Sequence, residues 1–377
     1  MNDPFSSTRS IEDYYLWDRM RNEQAITEFK LELSARCNNN CRHCYINLPV
    51  NDAEALRMEP SKELILGVAR AAVKRGALWC TITGGEPLVR EDFSDIYMSL
   101  KRMGLLISVF TNATLINERY VELFQKYPPT DIEVTVYGVT EKTYEAVTRQ
   151  PGSYRAFRRG LNLLLDNGIK VRLKAMALRS NFHEMPMIAQ FCREYTKDVF
   201  RFDPFLYLRL DRDPVRNEEI KSERLLPIEA VSLEMSDPER VQSLEKVYDK
   251  MINSKFREPK SNHLFHCGIG EGFIILGHDG HIRLCMFLSQ EECTLDPERC
   301  TFSEAWQDLV ALVKDMRSDN KGFLESCRSC PIISLCKWCP ARAYLEKGSM
   351  DTWVSYFCQV AHERAKALAY GKIGGTP

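Results

Sequence analysis

The feature that most restricts this chain is where its cysteines fall. Of fourteen, three stand at 37, 41 and 44, two are isolated at 80 and 192, and nine lie between 267 and 358. The N-terminus, MNDPFSSTRSIEDYYLWDRM, is polar and lacks the basic, apolar and small-residue order of a signal peptide, and there is no apolar run of about 18 residues able to span a bilayer. The chain is therefore expected to be cytoplasmic, with no membrane partner. Thiols there stay reduced, so metal ligation rather than disulfide bonding is the leading reason for so many of them.

At 377 residues the chain has room for one to three units, and 44% hydrophobic with 27% charged residues suits a protein with a full-sized core. The 51 basic and 52 acidic residues leave a net charge of −1 with no long run of one sign, so no nucleic acid or anionic lipid is implied as a partner.

From Glu28 the pattern alternates strand-like and helix-like segments. Strands are predicted at about 28–34, 79–83, 107–111, 131–137, 170–177 and 200–207, with helices such as 60–75 and 153–166 between them. Six strands joined by helical crossovers predict an α/β fold, a partial (β/α)6 TIM-like barrel, with ligand chemistry at the C-terminal ends of the strands. The expected organisation is an N-terminal extension over 1–27, the barrel over 28–210, a bridging region over 211–262 with no strand signal, and a cysteine-rich α+β unit over 263–377. A small metal-bound unit can hold its fold by ligation in place of a large core.

Directly after the first strand comes Cys37-Asn-Asn-Asn-Cys41-Arg-His-Cys44-Tyr45. Thiolates at this spacing suit zinc or an iron–sulfur cluster. Zinc completed by His43, or buried free thiols, are the alternatives. A cubane held by only three cysteines would leave one iron open for a ligand. After the second strand stands Gly84-Gly85-Glu86-Pro87, where glycines allow a close backbone approach and a carboxylate can meet an ammonium group.

Together these elements resemble the CxxxCxxC and GGEP motifs of the radical S-adenosylmethionine (SAM) superfamily. The resemblance implies that Cys37, Cys41 and Cys44 ligate a [4Fe–4S] cluster and carry the catalytic chemistry. It implies that His43, Gly84, Gly85, Glu86, Pro87, Thr111, Asn112, Thr135, Arg149 and Lys174 surround bound SAM, with Glu86 on its amino group. It also implies one-electron cleavage of SAM to a 5′-deoxyadenosyl radical that abstracts hydrogen from a substrate.

The second half reads Cys267, Gly280-x4-Cys285, Cys327-x2-Cys330-x5-Cys336-x2-Cys339 and Cys358. The segment FIILGHDGHIRLC predicts a hairpin turning at Asp279-Gly280 that brings Cys267 and Cys285 together. Paired CxxC elements are also the ordinary zinc knuckle. The array resembles the SPASM domain, the auxiliary-cluster extension of many radical SAM enzymes. By that resemblance Cys327, Cys330, Cys336 and Cys358 ligate one auxiliary [4Fe–4S] cluster, and Cys267, Cys285 and Cys339 hold another. The first of these sets is complete, whereas the second keeps an open iron or recruits Cys293 or Cys300. Only Lys337 and Trp338 separate Cys336 from Cys339, where the family usually has three residues.

SPASM enzymes mostly modify ribosomally made peptides by crosslinking, oxidation or epimerisation, and a minority oxidise small molecules. The resemblance thus implies a peptide substrate and an electron donor such as flavodoxin or ferredoxin. Recognition of a peptide is expected in the barrel, in the bridging region or in a separate leader-binding protein, because an independent domain needs about 50 residues and the first strand begins near residue 28. A small-molecule radical dehydrogenase is the alternative. A non-catalytic iron–sulfur or zinc protein leaves Gly84 to Pro87 unexplained. Asp203, Tyr207 and Arg209 are candidates for the barrel mouth or its salt bridges, and Cys80 and Cys192 are expected to be buried thiols without a function.

Overall fold

The computed structural model describes residues 25–196, 200–253, 261–297, 299 and 302–372. Six parallel strands lie side by side in chain order: β1 (Glu28–Glu32), β2 (Trp79–Thr83), β3 (Leu106–Thr111), β4 (Asp131–Val136), β5 (Val171–Met176) and β6 (Arg201–Asp203). Between them run α1 (Lys62–Lys74), α2 (Phe93–Arg102), α3 (Glu118–Lys126), α4 (Glu141–Thr148), α5 (Ser153–Asp166) and α6 (Met185–Tyr195). The predicted strands and barrel are present, with ends shifted by a few residues.

Parallel strands covered on both faces usually read as continuous apolar runs. These alternate instead, and the burial of β5 alternates with them residue by residue. Phe29, Leu31, Ile82, Val109, Val134 and Leu173 pack in the core under the helices. The intervening Lys30, Thr83, Glu133, Thr135, Lys174 and Asp203 line an interior cavity. The barrel is therefore hollow and lined in part by polar side chains, unlike one filled by layers of branched side chains.

Helix starts follow local chemistry. Ser61 caps α1 by accepting from Leu64 N–H at 3.1 Å. The bridging region, where the pattern set no boundaries, forms α7 (Pro214–Ser222), α8 (Pro227–Met235) and α9 (Pro238–Asn253). Each opens on a proline, whose missing N–H costs nothing in a first turn. Helix α8 packs against the last helix of the fold, and Arg364 from that helix makes a fully buried fork onto Glu234, at 2.6 and 2.7 Å.

The C-terminal half adds β7 (Phe273–Leu276), β8 (Ile282–Arg283), β9 (Thr294–Leu295), α10 (Phe302–Asp315), α11 (Pro340–Lys347) and α12 (Ser355–Lys372). The predicted hairpin forms between β7 and β8, closed by Gly277 N–H to His281 C=O at 2.8 Å, with Gly280 at φ 79°. Its partner is unexpected: β7 pairs in parallel with β1, so one nine-stranded sheet crosses the expected boundary at 263. Among the described residues no helix is long and apolar enough to cross a membrane.

Candidate active site at the barrel mouth

The cysteine loop leaves the C-terminal end of β1 and closes where Arg36–Cys37 pairs with Leu48–Pro49. Guanidinium groups hold its outside. Arg216 donates to Cys41 C=O at 3.1 Å and Asn47 Oδ1 at 2.9 Å, and Arg209 donates to Asn47 C=O at 3.1 Å. Arg149 donates to Asn40 C=O at 2.7 Å and grips Glu219 of α7 through both terminal nitrogens. Arg149 thus does not line the cavity and fastens the loop to the bridging region. Arg209 is likewise buried against Asp211 and the loop, away from the mouth.

Gly84 and Gly85 run directly beneath this loop. A Cβ on Gly84 would lie 2.4 Å from Ser34 C=O, and one on Gly85 would lie 2.5 Å from both Ala35 and Arg36 C=O. Gly85 N–H donates to Ser34 C=O at 2.7 Å, and Glu86 N–H to Arg36 C=O at 2.9 Å. The glycines therefore serve first a close approach of the chain to itself, where a ligand was expected to be the reason.

Glu86 also stands differently from the expectation. Its side chain is 0% exposed and does not line the cavity. The carboxylate accepts from Leu88 N–H at 3.1 Å, Thr111 Oγ1 at 2.8 Å and Asn112 N–H at 2.7 Å, bracing the ends of β2 and β3. Burial outweighs these hydrogen bonds and pushes its pKa up to about 7. The folded chain thus holds this proton more tightly than the unfolded chain. Its contribution to stability is complete below the ordinary carboxylate range and is lost as pH rises through about 7. Thermal melts of the full chain between pH 5.5 and 8 are expected to show this decline, and Glu86→Gln to flatten it.

The cavity has a volume of about 330 Å³. Cys37, Cys41, Cys44, His43, Gly84, Gly85, Thr111, Asn112, Thr135 and Lys174 all border it, as do Asp203 and Tyr207, whereas Pro87 does not. Residues singled out by no motif complete it. Glu133 pairs with Arg201 and with the expected Lys174, while Tyr137, Met176, Met286 and Phe287 supply apolar and aromatic wall. The alternation of polar residues along β4 to β6 was the available signal for Glu133 and Arg201, and no such pattern points to Met286 and Phe287.

Burial raises all three thiols, and Cys41 is raised further by Cys44 and Cys37, so the sulfurs feel one another. Donors face them in return. Asn39 N–H points at Cys37 Sγ at 3.4 Å, the amides of Ile46 and Asn47 favour ionised Cys44, and Tyr137 hydrogen-bonds Cys41. Beside them Asn39 Nδ2 and Oδ1 and His43 Nδ1 are buried with no partner. Burial holds the imidazole neutral, down to about 4, and its ring lies 5.1 Å from that of Tyr137. Soft donors that repel as thiolates, amides aimed at sulfur and unmet polar groups in one cavity fit a three-cysteine iron–sulfur cluster with a polar ligand beside it.

In the C-terminal half the thiols fall into two groups by mutual electrostatic influence. Cys285 is raised by burial and by Cys339 and Cys267, and Cys339 by burial and by Cys267. Cys336 is raised by burial and by Cys358, Cys330 and Cys327. These groups coincide with the two ligand sets implied by resemblance. Amides again face sulfur, from Phe287 to Cys285, Trp338 to Cys336 at 3.4 Å and Arg342 to Cys339 at 3.5 Å. Cys293 packs on Met316, with burial and Glu292 raising its thiol, and Cys300 lies outside the described residues. Cys80 and Cys192 are buried in the core. Among the described residues no three His, Cys, Asp or Glu side chains form a preformed cage for a single ion.

Residues 31–192 match the family described as the Radical SAM superfamily. The chain is 27% identical to the antilisterial bacteriocin subtilosin biosynthesis protein AlbA of Bacillus subtilis over 46% of its own length and 38% of AlbA. It is 24% identical to the Fe-coproporphyrin III synthase of Methanosarcina barkeri, over 81% of this chain and 80% of that one. In fold it is similar to Streptococcus suis SuiB bound to precursor peptide SuiA, with a TM-score of 0.67 at 16% identity, covering 95% of this chain and 85% of SuiB. The alignment thus spans well under half of AlbA. The match over residues 31–192, together with the partial barrel and the cysteine loop at its mouth, identifies a radical SAM domain in this chain, and the cysteine-rich extension lies on the same sheet.

Proposed function

We propose that Cys37, Cys41 and Cys44 hold a [4Fe–4S] cluster at which SAM is reductively cleaved, and that the substrate is a ribosomally made peptide undergoing crosslinking, oxidation or epimerisation. The observation that carries this reading is the meeting, in one cavity, of three mutually interacting thiols, the Gly84-Gly85 turn and the unmet polar atoms of Asn39 and His43. The cluster and SAM, when bound, supply a 5′-deoxyadenosyl radical that takes hydrogen from the substrate.

The chain's own residues prepare the place. Arginines 149, 209 and 216 neutralise the outer carbonyls of the loop, leaving its inner amides to the sulfurs. Asn112 donates to Asn38 Oδ1 at 2.9 Å and is itself set by Glu86. Thr111, Thr135 and Lys174 border the space a SAM molecule would fill, and Tyr137, Phe110 and Phe287 keep water from it. Cys267, Cys285 and Cys339, and separately Cys327, Cys330, Cys336 and Cys358, would hold two auxiliary [4Fe–4S] clusters. A small electron carrier such as flavodoxin or ferredoxin would supply electrons, and the leader would be recognised by the barrel, the bridging region or a separate protein.

A peptide substrate is favoured by the extent of the likeness to SuiB, solved with its precursor peptide, and by AlbA. The alignment with a Fe-coproporphyrin III synthase over most of both chains favours the second reading, a small-molecule radical enzyme. Its cavity of about 330 Å³ is of a size that small ligands fill. Anaerobic incubation with SAM, reductant and a short peptide encoded beside this gene decides between them. Loss of two hydrogens supports crosslinking or oxidation, and unchanged mass with a D-residue supports epimerisation. An unaltered peptide in both assays overturns the peptide reading.

A further inference from the structure

Partly buried charges in folded proteins are paired, and most arginines near the C-terminal thiols obey this. Arg224 meets Glu346, Arg364 meets Glu234 and Arg283 meets Asp279. Two do not: one is Arg328, beside Cys327, which donates to the carbonyls of His263 and Leu264, and the other is Arg342. Its terminal nitrogens donate to Lys337 C=O at 2.6 Å and to the Tyr207 hydroxyl at 2.9 Å, while its Nε is buried without a partner. Its guanidinium lies 4.4 Å from the Tyr207 ring centre and 5.6 Å from that of Phe287. No carboxylate among the described residues pairs with it. A cation has been brought to a wall of the cavity with no protein anion to meet it.

The negative charge that could meet it lies next to it. Arg342 stands in the first turn of α11, and its own N–H donates to Cys339 Sγ at 3.5 Å. Phe287, over which the guanidinium sits, follows Cys285 by two residues and turns its amide to that sulfur. The cation is thus fixed against two of the three thiols of the Cys267, Cys285 and Cys339 set.

We propose that Arg342 is the counter-charge of an iron–sulfur cluster held by Cys267, Cys285 and Cys339, and that it raises the reduction potential of that cluster alone. This rests on the auxiliary-cluster part of the proposed function. One electron added to the cluster makes it one unit more negative, and a fixed cation stabilises the reduced form more than the oxidised form. The hydroxyl and ring of Tyr207 hold the guanidinium in place, so Arg342 is a positioning residue that touches neither SAM nor substrate.

The test is a redox titration followed by electron paramagnetic resonance on the anaerobically reconstituted full chain, as wild type, Arg342→Gln and Arg342→Lys. The expected result is that the Gln variant lowers one midpoint by a tenfold change in the reduction equilibrium, about 59 mV for one electron. The other midpoints stay in place, and the Lys variant, which keeps the charge, stays close to wild type. Unmoved midpoints in the Gln variant overturn the proposal, as do equal shifts in both variants or loss of iron from the Gln variant, since a residue acting through charge leaves ligation intact. Iron content of the wild type separates this from the wider reading. Roughly four irons per chain means that the auxiliary clusters are not there, whereas roughly 12 with unmoved midpoints refutes Arg342 only.

Discussion

Replacing Cys37, Cys41 and Cys44 together with alanine is expected to abolish 5′-deoxyadenosine formation from SAM, a fall of at least 100-fold, while leaving the C-terminal iron in place. The three thiols border the cavity, and the first of them lies on the short strand pair that closes the loop. Alanine removes the sulfurs and leaves the arginine contacts, which reach the backbone of residues 40, 41 and 47 and not the sulfurs. Loop shape is thereby retained and ligation lost. Iron is expected to fall from roughly 12 to roughly eight per chain if each set holds a cubane. Cleavage that survives the triple change would place the chemistry elsewhere.

The second large effect is expected from Gly85→Ala. The new methyl would sit 2.5 Å from two backbone oxygens, Ala35 and Arg36, and neither can rotate away as a side-chain end would. Overpacking of this kind costs about 1–3 kcal/mol. Here the strain can be relieved only by pushing the cysteine loop off the Gly84-Gly85 turn, so cleavage is expected to fall at least tenfold as well. Gly67→Ala in α1 is the control. It has open space around its position, and alanine in a helix interior is favoured over glycine by about 1 kcal/mol. A melting curve and a SAM-cleavage assay on both variants check this, and a Gly85→Ala protein that melts and cleaves like wild type would remove the packing argument.

What could be read beforehand was what is local in the chain. The cysteine loop, the Gly84 to Pro87 turn and the β7–β8 hairpin are runs of adjacent residues, and their chemistry is present in their spacing. The six barrel strands were legible because alternation along them records one apolar face toward the helices and one partly polar face toward the cavity. Contacts between distant segments were not legible. The pairing of β1 with β7 joins residues 245 apart where Thr27 Oγ1 donates to Gly272 C=O, and nothing in either segment names the other.

Roles set by orientation were also hidden. Glu86 reads as a ligand for an ammonium group until its oxygens are seen to be used by Leu88, Thr111 and Asn112. Arg149 reads as a cavity residue until its left-handed backbone, at φ 51°, is seen to send it outward to Asn40 and Glu219. The helices of the bridging region stayed indistinct because their boundaries come from prolines and short caps more than from a long apolar stripe. The missing counter-charge of Arg342 depends on which carboxylates fail to reach it, which only the folded arrangement shows.

The most direct measurement is anaerobic reconstitution of the full chain with iron and sulfide, followed by addition of SAM and a strong reductant. Three cubanes should give roughly 12 irons per chain, together with 5′-deoxyadenosine and methionine in equal amounts. Zinc in place of iron, with no 5′-deoxyadenosine released under reductant, would contradict the assignment of Cys37, Cys41 and Cys44 as a SAM-cleaving site.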